Sequence, residues 1–139
     1  MTDAALVEKK LAQIETYVAE LRRLARVDEI GRDVREERFV EHTLQLAIQS
    51  ALDIASHIVS DERLGEPATN RDLFDFLRRR GYLSDSLALT LQNMAGFRNV
   101  LVHGYDAVDL AIVRDVLAHR LDDLLTFASA IRAAIRARG

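Results

Sequence analysis

Apolar residues recur along this chain at three- and four-residue steps, the period of helices that turn one face inward. Val7, Leu11, Ile14, Val18, Leu21 and Ala25 form the first stripe and predict a helix from about Asp3 to Asp28. Its heptad-like steps suit antiparallel packing in a bundle, or a partner helix. Gly31 breaks the pattern. Val40, Leu44, Ala47, Ala51, Ile54 and Ile58 then predict a second long helix, about Asp33 to Ser60, with Ser50, Asp53 and His57 on another face. Asp53 and His57, four residues apart, are spaced for a surface ion pair. Asp61 to Thr69, holding Gly65 and the only proline, Pro67, reads as a loop. Asn70 can cap a short helix ending at Arg80, with Gly81 as its stop. A last helix, capped by Asp106 or Asp109 and reaching about Ala137, carries Val113, Leu117, Leu121, Leu124, Ala128, Ile131 and Ile135 on its core face. No strand alternation, repeat or linker interrupts these elements. The expected architecture is all-α, a single domain over residues 1–139, an up-and-down bundle of four long helices and one short one.

One helix departs from ordinary patterning. It starts at Ser84 and Asp85, and Leu87, Leu91 and Met94 mark its inward stripe. At 100° per residue, Arg98 lies about 20° from Leu87, in the middle of that stripe. Burying an unpaired guanidinium costs several kcal/mol, so Arg98 needs a partner or opens onto a cleft. Asn99 and His103 are four apart and share another face. Gly104 follows as a helix stop, because glycine tolerates the left-handed conformation that ends helices. Arginine, amide, imidazole and the phenol of Tyr105 thus fall within about one turn of a helix end. Each has an ordinary use as well. His103 can complement the helix dipole, Arg98 can pair with a structural carboxylate, and Tyr105 can pack with its hydroxyl bonded.

Composition narrows the classes. No apolar run among the 139 residues approaches the roughly eighteen that a membrane span needs, and the start carries no signal-peptide core. There are no cysteines, hence no disulfides and no thiolate metal sites, in keeping with a cytoplasmic protein. H-E-x-x-H, clustered Asp/Glu/His ligands, glycine-rich phosphate loops and G-x-S-x-G are all missing, so no metal or cofactor is expected. A net charge of −3 excludes a generally basic nucleic-acid binder. Contact with RNA must come from a local patch, and since 17 of the 19 basic residues are arginine it would be arginine-built. The run Arg78-Arg79-Arg80 is either dipole complementation at a helix end or an RNA-backbone contact.

Taken together, Arg98, Asn99, His103 and Tyr105 resemble the R-x4-H-x-Y signature of HepT-like toxins, in the HEPN ribonuclease superfamily. Leu52-Asp53-Ile54-Ala55-Ser56-His57-Ile58-Val59-Ser60 and Met94-Ala95-Gly96-Phe97-Arg98-Asn99 are similar to that family's two helices. The resemblance covers roughly Val34 to Leu125, and the first helix matches only in being helical. It implies a helical bundle and the toxin of a type II toxin–antitoxin pair, acting as a metal-independent endoribonuclease on RNA. It implies Arg98, Asn99 and His103 as catalytic residues. The helix bearing Asp53 faces the motif helix in that family, which makes Asp53 a supporting partner for Arg98 or His103.

RNA cleavage without a metal needs a base for the 2′-hydroxyl, an acid for the leaving oxygen and a stabiliser for charge on phosphorus. An imidazole with an ordinary pKa near 6.5 can serve as acid or base, and a guanidinium can hold a phosphate bidentately. One chain supplies one motif histidine. A homodimer that brings two copies of His103 together supplies both roles, and HEPN ribonucleases are understood to work across such an interface. The family also implies an MntA-like nucleotidyltransferase as antitoxin, which adenylylates the motif tyrosine, here Tyr105, and leaves a higher oligomer open once it joins. The competing class is a non-catalytic helical binding module serving a nucleotidyltransferase, and a degraded motif would favour it. A purely structural bundle leaves Arg98 unexplained.

Overall fold

The computed structural model describes residues 2–104 and 108–138. Asp3 opens α1 (Ala4–Leu24) by accepting hydrogen bonds from the amides of Ala5 and Leu6, both at 3.1 Å. The predicted stripe Val7, Leu11, Ile14, Val18 and Leu21 is buried throughout. It packs against other helices of the same chain, so its heptad-like spacing serves the bundle. The helix stops at Leu24, short of the expected Asp28. Ala25 is extended, and Val27–Glu29 make one 3-10 turn that delivers Ile30 into the core. Gly31, at φ +92°, turns the chain in the left-handed region that favours glycine. Two carboxylates from the next helix hold this turn: Glu36 accepts from the Arg26 amide at 3.0 Å and Glu37 from the Gly31 amide at 2.8 Å.

Capped by Asp33, α2 (Val34–Asp61) is the central element and touches α1, α3, α4 and α6. Its apolar positions cover more than one face; Ile48, Leu52, Ala55 and Val59 are buried beside the predicted stripe. The helix closes with Arg63 at φ 53° and the Leu64 amide bonded back to the Val59 carbonyl at 3.0 Å. This is the six-to-one bond of a Schellman end, with arginine where glycine is usual. The short helix α3 (Asn70–Arg79) is capped at Thr69, one residue before the expected Asn70. Asp72 does the work there, accepting from the amides of Ala68 and Thr69 at 2.8 and 3.2 Å. Phe74 of α3 meets Phe127 edge-to-face, 6.0 Å between ring centres.

After α4 (Asp85–His103), the expected single last helix is two: α5 (Leu110–His119) and α6 (Leu121–Arg138). Among the described residues there are therefore six α-helices rather than five, in the same all-α bundle. Neither glycine nor proline marks the break at Arg120, and the stripe reads straight through it. The break lets Val113 and Val116 face the core from α5, while Leu117 is only half-buried, and α6 restarts with Leu121, Leu124 and Phe127 buried. Asp122 and Asp123 in the first turn of α6 suit a new helix start, where the dipole favours carboxylates. Asp109 is the cap of α5, accepting from the Ala111 amide at 2.8 Å; Asp106 lies outside the described residues.

Arg132 ties α6 to α1 by bonding Glu8 and Glu15 together, at 2.6 to 3.1 Å. These bonds hold both carboxyl groups below their ordinary range. No described helix is long and apolar enough to cross a membrane.

Candidate active site

The side chain of Ser84 caps α4, accepting from the Leu87 amide at 3.2 Å. Leu87, Ala88, Leu91, Met94 and Ala95 are buried against the bundle. Farther along, the stripe loosens. Phe97 and Leu101 are half-buried and pack on the core edge, and Val100 is exposed. Arg98 falls on the stripe as the period predicts, half-buried.

No carboxylate lies within 4.0 Å of its guanidinium among the described residues. Among the described residues its one hydrogen bond runs from Nη1 to the side-chain oxygen of Asn99, at 3.2 Å, and its buried Nε finds no partner. A buried donor left unmade costs about 1–3 kcal/mol, so such a group calls for a reason to exist. The guanidinium is bonded to a neutral amide, with no carboxylate beside it among the described residues.

His103 is the last residue of α4 and is exposed, as is Asn99 one turn before it. Gly104 ends the helix, but not by the left-handed route: its φ is −99°. Glycine is required there by crowding. A Cβ on Gly104 would stand 2.8 Å from the Val100 carbonyl oxygen and 3.3 Å from Val100 Cγ1. Any side chain at that position would force the helix end to shift away from Val100. Tyr105 lies outside the described residues.

Asp53 does not partner Arg98 or His103 within the chain. It faces α1, taking Lys10 Nζ at 3.4 Å and Gln49 Nε2 at 2.8 Å. Nor does it pair with His57, whose Nε2 sits 3.0 Å from Asp61, within ion-pair distance but misaligned for a hydrogen bond. Because α2 runs on to Asp61, His57 meets a carboxylate one turn ahead rather than Asp53 one turn behind. The arginine run is also taken up structurally. Asp75 binds Arg78 and Arg79, each at 2.8 Å, and the Arg78 bond holds the Asp75 carboxyl below its ordinary range. Arg80 gives its carbonyl to Arg138 at 2.8 Å.

Two grooves flank the free half of α4. One, toward α5, is lined by Phe97, Ile112 and Arg120 among others; the other, toward α2, by Arg38, Glu41, His42 and Leu101. In the sequence these α2 residues are overshadowed by the apolar stripe of Val40 and Leu44. The signal was there in Arg38 and His42, charged or titratable and one helical turn apart.

An all-α bundle presenting R-x4-H at the free end of an interior helix belongs to the HEPN class of ribonuclease folds. The model of the family described as "Ribonuclease HepT-like" matches residues 8–131, and the chain belongs to that family. It is 37% identical over 90 residues to the mRNA nuclease HepT of Shewanella oneidensis, spanning 65% of this chain and 68% of that protein. It is 31% identical over 109 residues to the tRNA nuclease HepT of Aphanizomenon flos-aquae, 77% of this chain and 74% of that one. A tri-AMPylated Shewanella oneidensis HEPN toxin, solved in complex with an MNT antitoxin, superposes with a TM-score of 0.86 at 30% identity, over 96% of this chain and 99% of that one.

Proposed function

We propose that this protein is the toxin of a type II toxin–antitoxin pair, an endoribonuclease that cuts RNA without a metal and is silenced when its partner nucleotidyltransferase adenylylates Tyr105. The observation that carries this reading is the state of Arg98: a half-buried guanidinium held by Asn99, with a buried donor unused and no carboxylate to neutralise it among the described residues. Membership of the family and likeness to toxins solved with their antitoxins support the toxin role and the partner.

Arg98 holds a non-bridging oxygen of the scissile phosphate and stabilises the charge that grows there. His103 takes the proton of the 2′-hydroxyl or returns one to the leaving 5′-oxygen. Both roles are needed at once, and each chain brings one motif histidine. A homodimer therefore joins two copies of His103 and of Arg98 in one composite site. Exposed Leu89 and Val100 on α4 and Ile112 on α5 give that half of the molecule apolar surface for such a contact. Asn99 positions the guanidinium. The protein works in the cytoplasm, where its RNA substrate is.

Purified protein should cleave RNA at full rate in EDTA and leave a 2′,3′-cyclic phosphate, because the internal 2′-hydroxyl is the nucleophile. End-group analysis of the fragments checks this. Cleavage that stops in EDTA, or 3′-hydroxyl ends, would sink the mechanism.

A further inference from the structure

The reaction leaves unused a set of polar side chains on α2. Arg38, Glu41 and His42 line, with Phe39, a groove of about 690 Å³ whose opposite wall is Leu101 and Val108. Leu101 stands three residues after Arg98 and neighbours it on the surface of α4, so the groove borders the motif arginine's side of that helix. Its size lies within the roughly 300–1,000 Å³ of small-ligand sites. Arg38 and His42 are exposed; Glu41 and Phe39 are half-buried.

The neighbouring carboxylates have structural work. Glu36 and Glu37 accept from backbone amides of the preceding turn. Glu41, His42 and Arg38, by contrast, make no side-chain hydrogen bond or ion pair among the described residues. Burial and the nearby Glu37 raise the Glu41 carboxyl above its ordinary range, against the pull of Arg38. Glu41 is thus an acceptor short of donors, in a groove next to the candidate catalytic residues.

We propose that this groove seats the nucleotide adjacent to the scissile phosphate, and that Glu41 selects a base carrying an exocyclic amino group. The inference rests on the ribonuclease reading for its substrate. Single-stranded RNA is read by splaying a base out, stacking it on an aromatic ring and bonding its edge, and Phe39 and Glu41 supply those two elements. A carboxylate accepts from the amino groups of cytosine, adenine and guanine, whereas uracil has none. It repels a bare phosphate, so Glu41 marks the base end of the pocket. Arg38, one residue from Phe39, takes the flanking backbone phosphate. His42, one turn from Arg38, lies along the same track.

The test uses RNA that the protein cannot cut, so it does not depend on catalysis. Fluorescence anisotropy should show short 2′-O-methyl oligoadenylate binding the full-length protein more tightly than oligouridylate, by about tenfold for one good polar pair. Glu41→Met, close in volume and without acceptors, should erase that ratio while circular dichroism stays unchanged. Arg38→Ala should weaken both oligonucleotides alike, as loss of a phosphate contact does. Equal affinities in the wild type, a ratio untouched by Glu41→Met, or no binding of either oligonucleotide overturns the proposal. Failure of the wild type to cleave in EDTA would overturn the enzyme reading alone.

Discussion

His103→Ala should lower the rate of RNA cleavage by about 10²–10⁴-fold, the contribution of a general acid or base. The side chain is exposed at the end of α4 and makes no hydrogen bond among the described residues, so its removal should leave thermal stability nearly unchanged. Arg98→Ala should cut activity as deeply for a different reason, the loss of charge at the phosphate. A structural arginine would behave otherwise, since deleting one member of a buried ion pair strands the other at several kcal/mol. Among the described residues Arg98 has no such partner, and its one bond is to the neighbouring Asn99. Its loss also removes a buried donor without a mate. Melting temperature should therefore hold or rise while activity falls. Arg98→Lys should rescue little, because an ammonium cannot grip a phosphate bidentately. Steady-state cleavage of a fluorescent RNA, run beside thermal melts, decides it. Wild-type rates in His103→Ala would mean that His103 is neither the acid nor the base of the reaction.

Tyr105→Phe should remain fully active yet escape control. Two peptide steps separate Tyr105 from His103, which bounds their Cα atoms to about 7 Å. Between them, the Gly104 amide donates to the Val100 carbonyl at 2.7 Å. An adenylyl group on Tyr105 thus stays within reach of the phosphate site. There it offers Arg98 a phosphate and adds bulk and negative charge, so the product occupies the site it blocks. Co-expressed with its partner, wild type should be silenced and Tyr105→Phe should remain toxic. Intact-mass measurement after incubation with partner and ATP should show adenylyl groups on the wild type and none on the variant. A variant that is still modified and silenced makes Tyr105 a packing residue.

Much of this was legible in the sequence because helices write their faces at a fixed period. The stripes of α1, α2 and α4 marked the core, and the same period put Arg98 among buried leucines before any contact was known. What stayed hidden was set by tertiary context. The break at Arg120 carries no glycine or proline, and it lets Val116 and Leu121 both face the core. Asp53 went to Lys10 because which helix a face meets is decided by the whole bundle, not by spacing along one chain. Gly104 was identified as a stop, but its need for glycine comes from crowding, which no dihedral preference predicts. The α2 groove was hidden for the same reason: its polar lining gains meaning only from the α4 end across from it.

The most direct measurement concerns the nucleophile. An RNA carrying one 2′-deoxy nucleotide on the 5′ side of a mapped cut should resist cleavage at that bond, in EDTA, while cuts elsewhere proceed at the wild-type rate. Cleavage at the deoxy position at an unchanged rate would mean that the 2′-hydroxyl is not the attacking group, and would contradict the roles given to His103 and Arg98.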